Sequence, residues 1–251
     1  MVTTEQFVDD YQWIEDARHF LPRHASRKWQ ERSLDRLDGL VWHQTLGGTD
    51  PEATARYHVG PNHISSEGLP SISYTFFIKS DGAVWLCNDL EAVTYSQGDR
   101  TKPGDENVAY LAACFGGNFS GPGYRGSAVP TVDQLFGGLR LWKSVKQFFG
   151  FENYQLFGHY HFGKPACPGT SLQSLIEMVR ADCIDLDFGS MATRQTALKR
   201  LGYYRGAIDG VWGPVSRDAL LGFQKSNGLS ADGVWGRQTE RAIHHAIDRS
   251  G

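Results

Sequence analysis

Leu40-Val41-Trp42-His43-Gln44-Thr45 is the stretch on which the fold turns: a short apolar run, suited to a buried strand, that ends in an imidazole. A second run of this kind, Tyr154-Gln155-Leu156-Phe157-Gly158, ends in His159. Between them, 72–86 reads as two strands joined at Ser80-Asp81-Gly82, a hairpin signal, and 108–115 as a further strand. Thr131 with Gln134, and Thr170 with Gln173, have the capping-box spacing, opening amphipathic helices that run to about Phe149 and Ala181. Strands and helices mixed in this way predict an α/β domain, a mixed β-sheet flanked by helices. Phe7, Tyr11 and Ile14 add an amphipathic helix near the start, placed to cover the core or to meet a partner.

The end of the chain carries an internal echo. Ile208-Asp209-Gly210-Val211-Trp212-Gly213 returns as Ala231-Asp232-Gly233-Val234-Trp235-Gly236, 23 positions later. Asp-Gly supplies a tight turn with positive φ, and each Trp can pack on the hinge beside it. Helical segments follow both copies, at 215–227 and 237–247, and another precedes them at 194–201, stopping at Gly202. Leu198, Leu201, Leu220, Phe223 and Ile243 would then centre a small three-helix domain. The stretch 184–191 lacks sustained periodicity and reads as a linker, leaving 1–183 and 192–251 as two domains.

Composition bounds what these modules can be. With 251 residues, 40% hydrophobic and 12% aromatic, the chain can bury one large core or a medium one with a small companion, which excludes disorder as its dominant state. No stretch approaches the roughly 20 consecutive apolar residues of a membrane-spanning helix. Glu5, Asp9, Asp10, Glu15 and Asp16 interrupt the first residues, so neither a signal peptide nor membrane insertion is expected. Four cysteines in a chain this long do not make a disulfide scaffold, and one that matters is expected to be a ligand or nucleophile. The net charge of −3 hides an asymmetry: residues 190–251 hold nine basic and five acidic groups, and the rest is acidic. Two differently charged modules suggest different partners, with an anionic polymer suited to the basic one.

His43 and His159 share a setting, each at the end of an apolar strand, where the core can hold a ring rigidly. Cys167 lies eight residues beyond His159, followed by Pro168-Gly169 and a helix. Two imidazoles and one thiolate converging on a metal, with the fourth tetrahedral position left for water, suit catalytic Zn²⁺.

The surrounding words sharpen this reading. Gly158-His159-Tyr160-His161-Phe162-Gly163-Lys164-Pro165-Ala166-Cys167-Pro168-Gly169, with Val41-Trp42-His43-Gln44-Thr45 and Ser73-Tyr74-Thr75-Phe76-Phe77-Ile78, resembles the zinc N-acetylmuramoyl-L-alanine amidases, whose fold is shared by peptidoglycan recognition proteins. The resemblance covers about 37–180. The 192–251 stretch resembles the peptidoglycan-binding domain of bacterial and phage wall hydrolases, through Gln195, Leu201-Gly202-Tyr203-Tyr204, Phe223-Gln224 and the repeated turns. These likenesses imply cleavage of the amide between N-acetylmuramic acid and L-alanine of the stem peptide, with peptidoglycan as the partner. They imply His43, His159 and Cys167 as zinc ligands and Tyr74 as a donor to the developing oxyanion. Relatives often place Lys or Thr where this chain has Pro165, which leaves His161, Lys164 or water to deliver a proton to the leaving amine. No carboxylate precedes Gly117-Asn118-Phe119, so the glutamate base used by another subset is not expected. His58 and His63 are expected in a groove-lining loop, and with Asn118, Trp212 and Trp235 complete the substrate contacts.

Other classes make different demands. A wall-binding receptor would not need Cys167, and a cysteine peptidase would use it as nucleophile with His159 as base. Nucleic-acid binding is not expected, since no basic cluster exceeds Lys199-Arg200. With no export signal, the expected setting is that of a phage endolysin: a monomer held in the cytoplasm until release, acting on the bacterial cell wall.

Overall fold

The computed structural model describes residues 2–62, 65–98, 104–121, 129–181, 191–236, 238–239, 242–243 and 246. Two compact units divide the chain, Met1–Ile184 and Asp185–Gly251.

Among the described residues, the first unit is built on six strands: β1 (Glu15–Asp16), β2 (Gly39–Gln44), β3 (Phe76–Ile78), β4 (Val84–Leu86), β5 (Tyr110–Phe115) and β6 (Leu156–Gly158). Their order is β1-β4-β3-β5-β2-β6. The β3–β4 hairpin is antiparallel and the other pairs are parallel. Interior strand β2 lies between β5 and the edge strand β6 with all its residues buried, which is why its sequence is a continuous apolar run rather than an alternation. The strands around 72–86 and 108–115 are shorter than their sequence runs. The helix α3 (Asp105–Ala109) takes the start of the second of these, and a 3-10 turn at Asn153–Gln155 precedes β6.

Each face of the sheet has its own cover. Trp42 and Phe115 meet edge to face at 4.9 Å beneath α4 (Val132–Phe149). Gly138 permits that approach, since a Cβ there would fall 2.4 Å from the Phe115 ring. Thr131 and Gln134 form the expected capping box at the start of α4. Side-chain alternation turns His43 and Cys114, paired in register on β2 and β5, to the opposite face. There Cys114 joins Phe77, Cys87, Ile72 and Ala55 in one buried cluster. Ala55 comes from α2 (Pro51–Val59), a helix absent from the sequence reading. Its signal was present: Asp50 accepts from the Glu52 and Ala53 amides, and Pro51 occupies the first turn.

One expected cap fails. The helix α5 (Thr170–Arg180) begins after Gly169, so Thr170 is its first residue and not its cap. Gln173 instead donates to the Pro165 carbonyl at 2.7 Å. The start of the chain covers the core: α1 (Thr4–Asp10) buries Phe7 fully against Phe76 and Phe148.

In the second unit, α6 (Met191–Arg200) begins at the last residue expected for the linker, and α7 (Pro214–Ser226) follows the first repeated turn. Residues 238–239, 242–243 and 246 are helical after the second. Leu198, Leu220, Phe223 and Ile243 are fully buried at its centre. The repeat has a physical basis that its turn residues only half reveal. Buried Gln195 accepts from the Asp209 and Gly210 amides and donates to Asp209 Oδ1 and the Val211 carbonyl. Gln224 makes the corresponding bonds to Gly233, Asp232 and Val234. Gly210 and Gly233 take the expected left-handed turn, at φ 73° and 71°.

Candidate metal centre

Three side chains from distant parts of the first unit meet at one point. His43 leaves the end of β2, His159 follows the end of β6, and Cys167 precedes α5. One ligand atom from each lies within 4.8 Å of the others. The imidazole centroids are 4.5 Å apart, and His43 Nδ1 is 4.0 Å from Cys167 Sγ. A tetrahedral zinc site with ordinary bond lengths spaces nitrogen and sulfur by roughly 3.6 Å, so His43 and Cys167 stand a few tenths of an ångström wider than that, and the set as a whole, within 4.8 Å, closes by drawing in by up to about an ångström. Donor type, number and spacing therefore fit zinc.

Burial gives the three cysteines among the described residues different characters. Cys87 and Cys114 are fully buried, and burial pushes both thiols well above the usual range, so they stay protonated. Cys167 is half-buried and opens on a cavity of about 820 Å³ lined also by both histidines.

The ligands are held from outside. His159 Nε2 is 2.9 Å from the Gln97 carbonyl. A carbonyl only accepts, so that nitrogen carries the proton and Nδ1 keeps its lone pair for a metal. Gln44, next to His43, fastens the segment bearing Cys167: its Nε2 donates to the Ala166 carbonyl at 2.6 Å and to Ser120 Oγ at 2.7 Å. Its Oε1 accepts the Phe119 amide. Neither role was read from the sequence, although a glutamine buried at a strand end was a signal for the second.

The cavity gathers some of the expected residues and leaves others outside. Tyr74 and Lys164 both line it, with the Tyr74 ring 5.5 Å from that of His43. His58 lines it too, but from α2 and not from a loop, and it is buried rather than at the surface. Its Nδ1 accepts the Ser73 amide at 3.0 Å, which puts its proton on Nε2, and its ring is 5.8 Å from Tyr74. His161 does not reach the cavity: its ring turns back on its own 3-10 turn, with Nδ1 at 3.2 Å from the Gly158 carbonyl and Nε2 at 3.7 Å from Glu177. Two residues on, Gly163 takes a left-handed turn that separates His161 from the cavity-lining stretch 164–167. Asn118 is also outside the lining and accepts the Ser120 amide. His63 lies outside the described residues.

In the second unit Trp212 and Trp235 pack on the core, edge to face at 6.0 Å, with the Arg194 guanidinium over both rings. Val211 and Val234, beside them in the two turns, are 65% and 60% exposed.

A stretch of 59 residues, 24% of this chain, is 39% identical to the N-acetylmuramoyl-L-alanine amidase CwlM of Mycobacterium tuberculosis and spans 14% of that protein's length. Similar solved structures include the amidase LysC from Clostridium intestinale, 19% identical, covering 64% of this chain and 95% of that one, at a TM-score of 0.47. The Ph2119 endolysin of a Thermus scotoductus bacteriophage is 19% identical over 66% of this chain and 98% of its own, at 0.49. Drosophila peptidoglycan recognition protein SD is 20% identical over 65% and 94%, at 0.47. Residues 190–243 match the model of a peptidoglycan binding domain. Residues 33–170, more than half of the chain and the span that holds the three converging side chains, match the model of N-acetylmuramoyl-L-alanine amidase, and the chain belongs to that family.

Proposed function

We propose that the protein is a zinc-dependent peptidoglycan hydrolase that cleaves the amide between N-acetylmuramic acid and L-alanine of the stem peptide. The observation that carries this reading is the meeting of His43, His159 and Cys167 on an open cavity. A polarised scissile carbonyl and a water acidified towards neutrality are what zinc supplies when bound.

The chain's own residues do the rest. Tyr74, beside His43 on the cavity wall, donates its phenolic proton in a hydrogen bond to the oxyanion that develops as the amide carbon becomes tetrahedral. His58, held on the cavity wall by its Nδ1 bond to the Ser73 amide, is a substrate contact beside Tyr74. Lys164, on the cavity lining, or water delivers the proton to the leaving amine, and His161 is left out of this role by its position. Trp212 and Trp235, with exposed Val211 and Val234, give the second unit an aromatic and apolar face for the wall polymer.

Digestion of purified peptidoglycan, with chelation, zinc re-addition and mass spectrometry of the products, tests the proposal. Stem peptides starting at L-alanine, lost on chelation and restored by zinc, are expected. Peptide-bond cleavage that survives chelation would instead make Cys167 a nucleophile with His159 as its base. Wall binding without cleavage would make the protein a receptor. The same proposal takes the protein as a monomer with an endolysin's role. Sedimentation velocity checks the first, and lysis of expressing bacteria only after the membrane is opened checks the second.

A further inference from the structure

We propose that Asn107 is a positioning residue for the metal centre, acting through the Ser96–Gln97 backbone on the ring of His159. The inference rests on His159 being a metal ligand, as proposed above.

The path is continuous and buried. Asn107 Oδ1 accepts two consecutive backbone amides, Ser96 at 3.1 Å and Gln97 at 2.9 Å. Holding both amides by one oxygen fixes the 95–96 and 96–97 peptide planes, and so places the Gln97 Cα from which its carbonyl leads to His159. That carbonyl takes the His159 Nε2 proton at 2.9 Å. Asn107 and Gln97 are fully buried, Ser96 is 7% exposed and His159 4%, so water does not readily replace a lost partner.

Asn107 is itself held. It belongs to α3, and its carbonyl accepts from Arg32 at 2.7 Å. Arg32 is buried: the Nη1 that makes this bond also shares its protons with the Val108 and Tyr110 carbonyls, while Nε donates to Leu90 and Nη2 to Ala92. Burial lowers its pKa to about 10, which leaves it charged at neutral pH. A charged fork satisfied by backbone oxygens ties the segment before β2 to α3 and to the stretch after β4, and Asn107 passes that order to the metal centre.

The consequence is chemical as well as structural. An imidazole without a fixed acceptor at Nε2 can carry its proton on Nδ1, and a protonated nitrogen does not bind metal. Losing such an outer partner typically weakens metal binding by about 10–100-fold. An aspartate at 107 keeps an oxygen for both amides, whereas an alanine keeps none.

The experiment combines nitrogen NMR of His159 in the metal-free full chain with zinc competition against a chromogenic chelator, for wild type, Asn107→Ala and Asn107→Asp. Wild type is expected to carry the His159 proton on Nε2. Asn107→Ala should show a mixture of tautomers and zinc binding about 10–100-fold weaker, with Asn107→Asp restoring most of both. A wild-type His159 protonated on Nδ1 overturns the inference without recourse to any variant. So does a folded Asn107→Ala protein with the wild-type tautomer and zinc affinity. Failure of the wild type to bind zinc would instead overturn the metal reading of the site, whichever tautomer His159 shows.

Discussion

Replacing Gln44 by Leu removes the side chain that joins three segments around Cys167 while nearly preserving volume. The wild-type amide satisfies the Phe119 N–H, Ser120 Oγ and the Ala166 carbonyl, in a setting where Gln44 is 4% exposed and Phe119 5%. A buried amide left without an acceptor costs about 1–3 kcal/mol. Ser120 Oγ and the Ala166 carbonyl each forfeit a net hydrogen bond of about 0.5–1.5 kcal/mol, less where water reaches them. The expected loss is about 2–6 kcal/mol, towards the lower end where water reaches the freed groups, a large share of the roughly 5–15 kcal/mol that holds a domain together. Because the loosened segment carries Cys167, zinc binding should weaken as well, by about 10–100-fold. Urea unfolding of the metal-free protein measures the first effect, and chelator competition the second. Gln173→Leu is the control: it frees the same segment at one surface bond to Pro165 and should cost no more than about 1 kcal/mol. A Gln44→Leu protein with wild-type unfolding midpoint and zinc affinity would refute the reasoning.

Cys167→Ala should abolish zinc retention and activity while leaving the fold intact, since the side chain is half-buried; circular dichroism and metal analysis of the purified variant decide this. Tyr74→Phe should retain zinc and lose about 100–1000-fold in kcat, the usual cost of one oxyanion donor, and full turnover would remove that role. His161→Ala should keep turnover close to wild type, because its ring faces Glu177 and not the cavity. In the second unit the Asp209 carboxyl is held below its usual range, chiefly by the Gln195 amide, and that of Asp232 chiefly by the Val234 N–H. A carboxyl lowered on folding stabilises the fold above its unfolded pKa and loses that contribution as pH falls through the folded one. Stability from these turns should therefore be complete above about pH 4 and decline below it, and thermal unfolding of Asp209→Asn with Asp232→Asn should show a weaker acid dependence.

Local pattern made much of the molecule readable. The apolar run 40–44 is an interior strand because both its neighbours are strands, and the Thr131 cap works because its partner is three residues away. The Asp-Gly turns were legible for the same reason: positive φ is a property of the glycine itself. Where the reading failed, a distant partner had taken over. Gln173 was drawn to the Pro165 carbonyl, so the Thr170 box did not form, and α2 makes His58 a buried ring rather than part of a loop.

The sequence by itself determined the strands, the repeated turns and the residue types able to hold a metal, because these follow from spacings of a few residues. Only the tertiary structure decided which of those residues meet. It brought His43, His159 and Cys167 together, turned His161 away, and set Gln44 and Asn107 behind the ligands. The bonds of Gln44 to Ala166 and of His159 to Gln97 close across more than sixty residues of chain, and a separation of that length leaves no local pattern; only the packing of the sheet and its connections fixes such contacts.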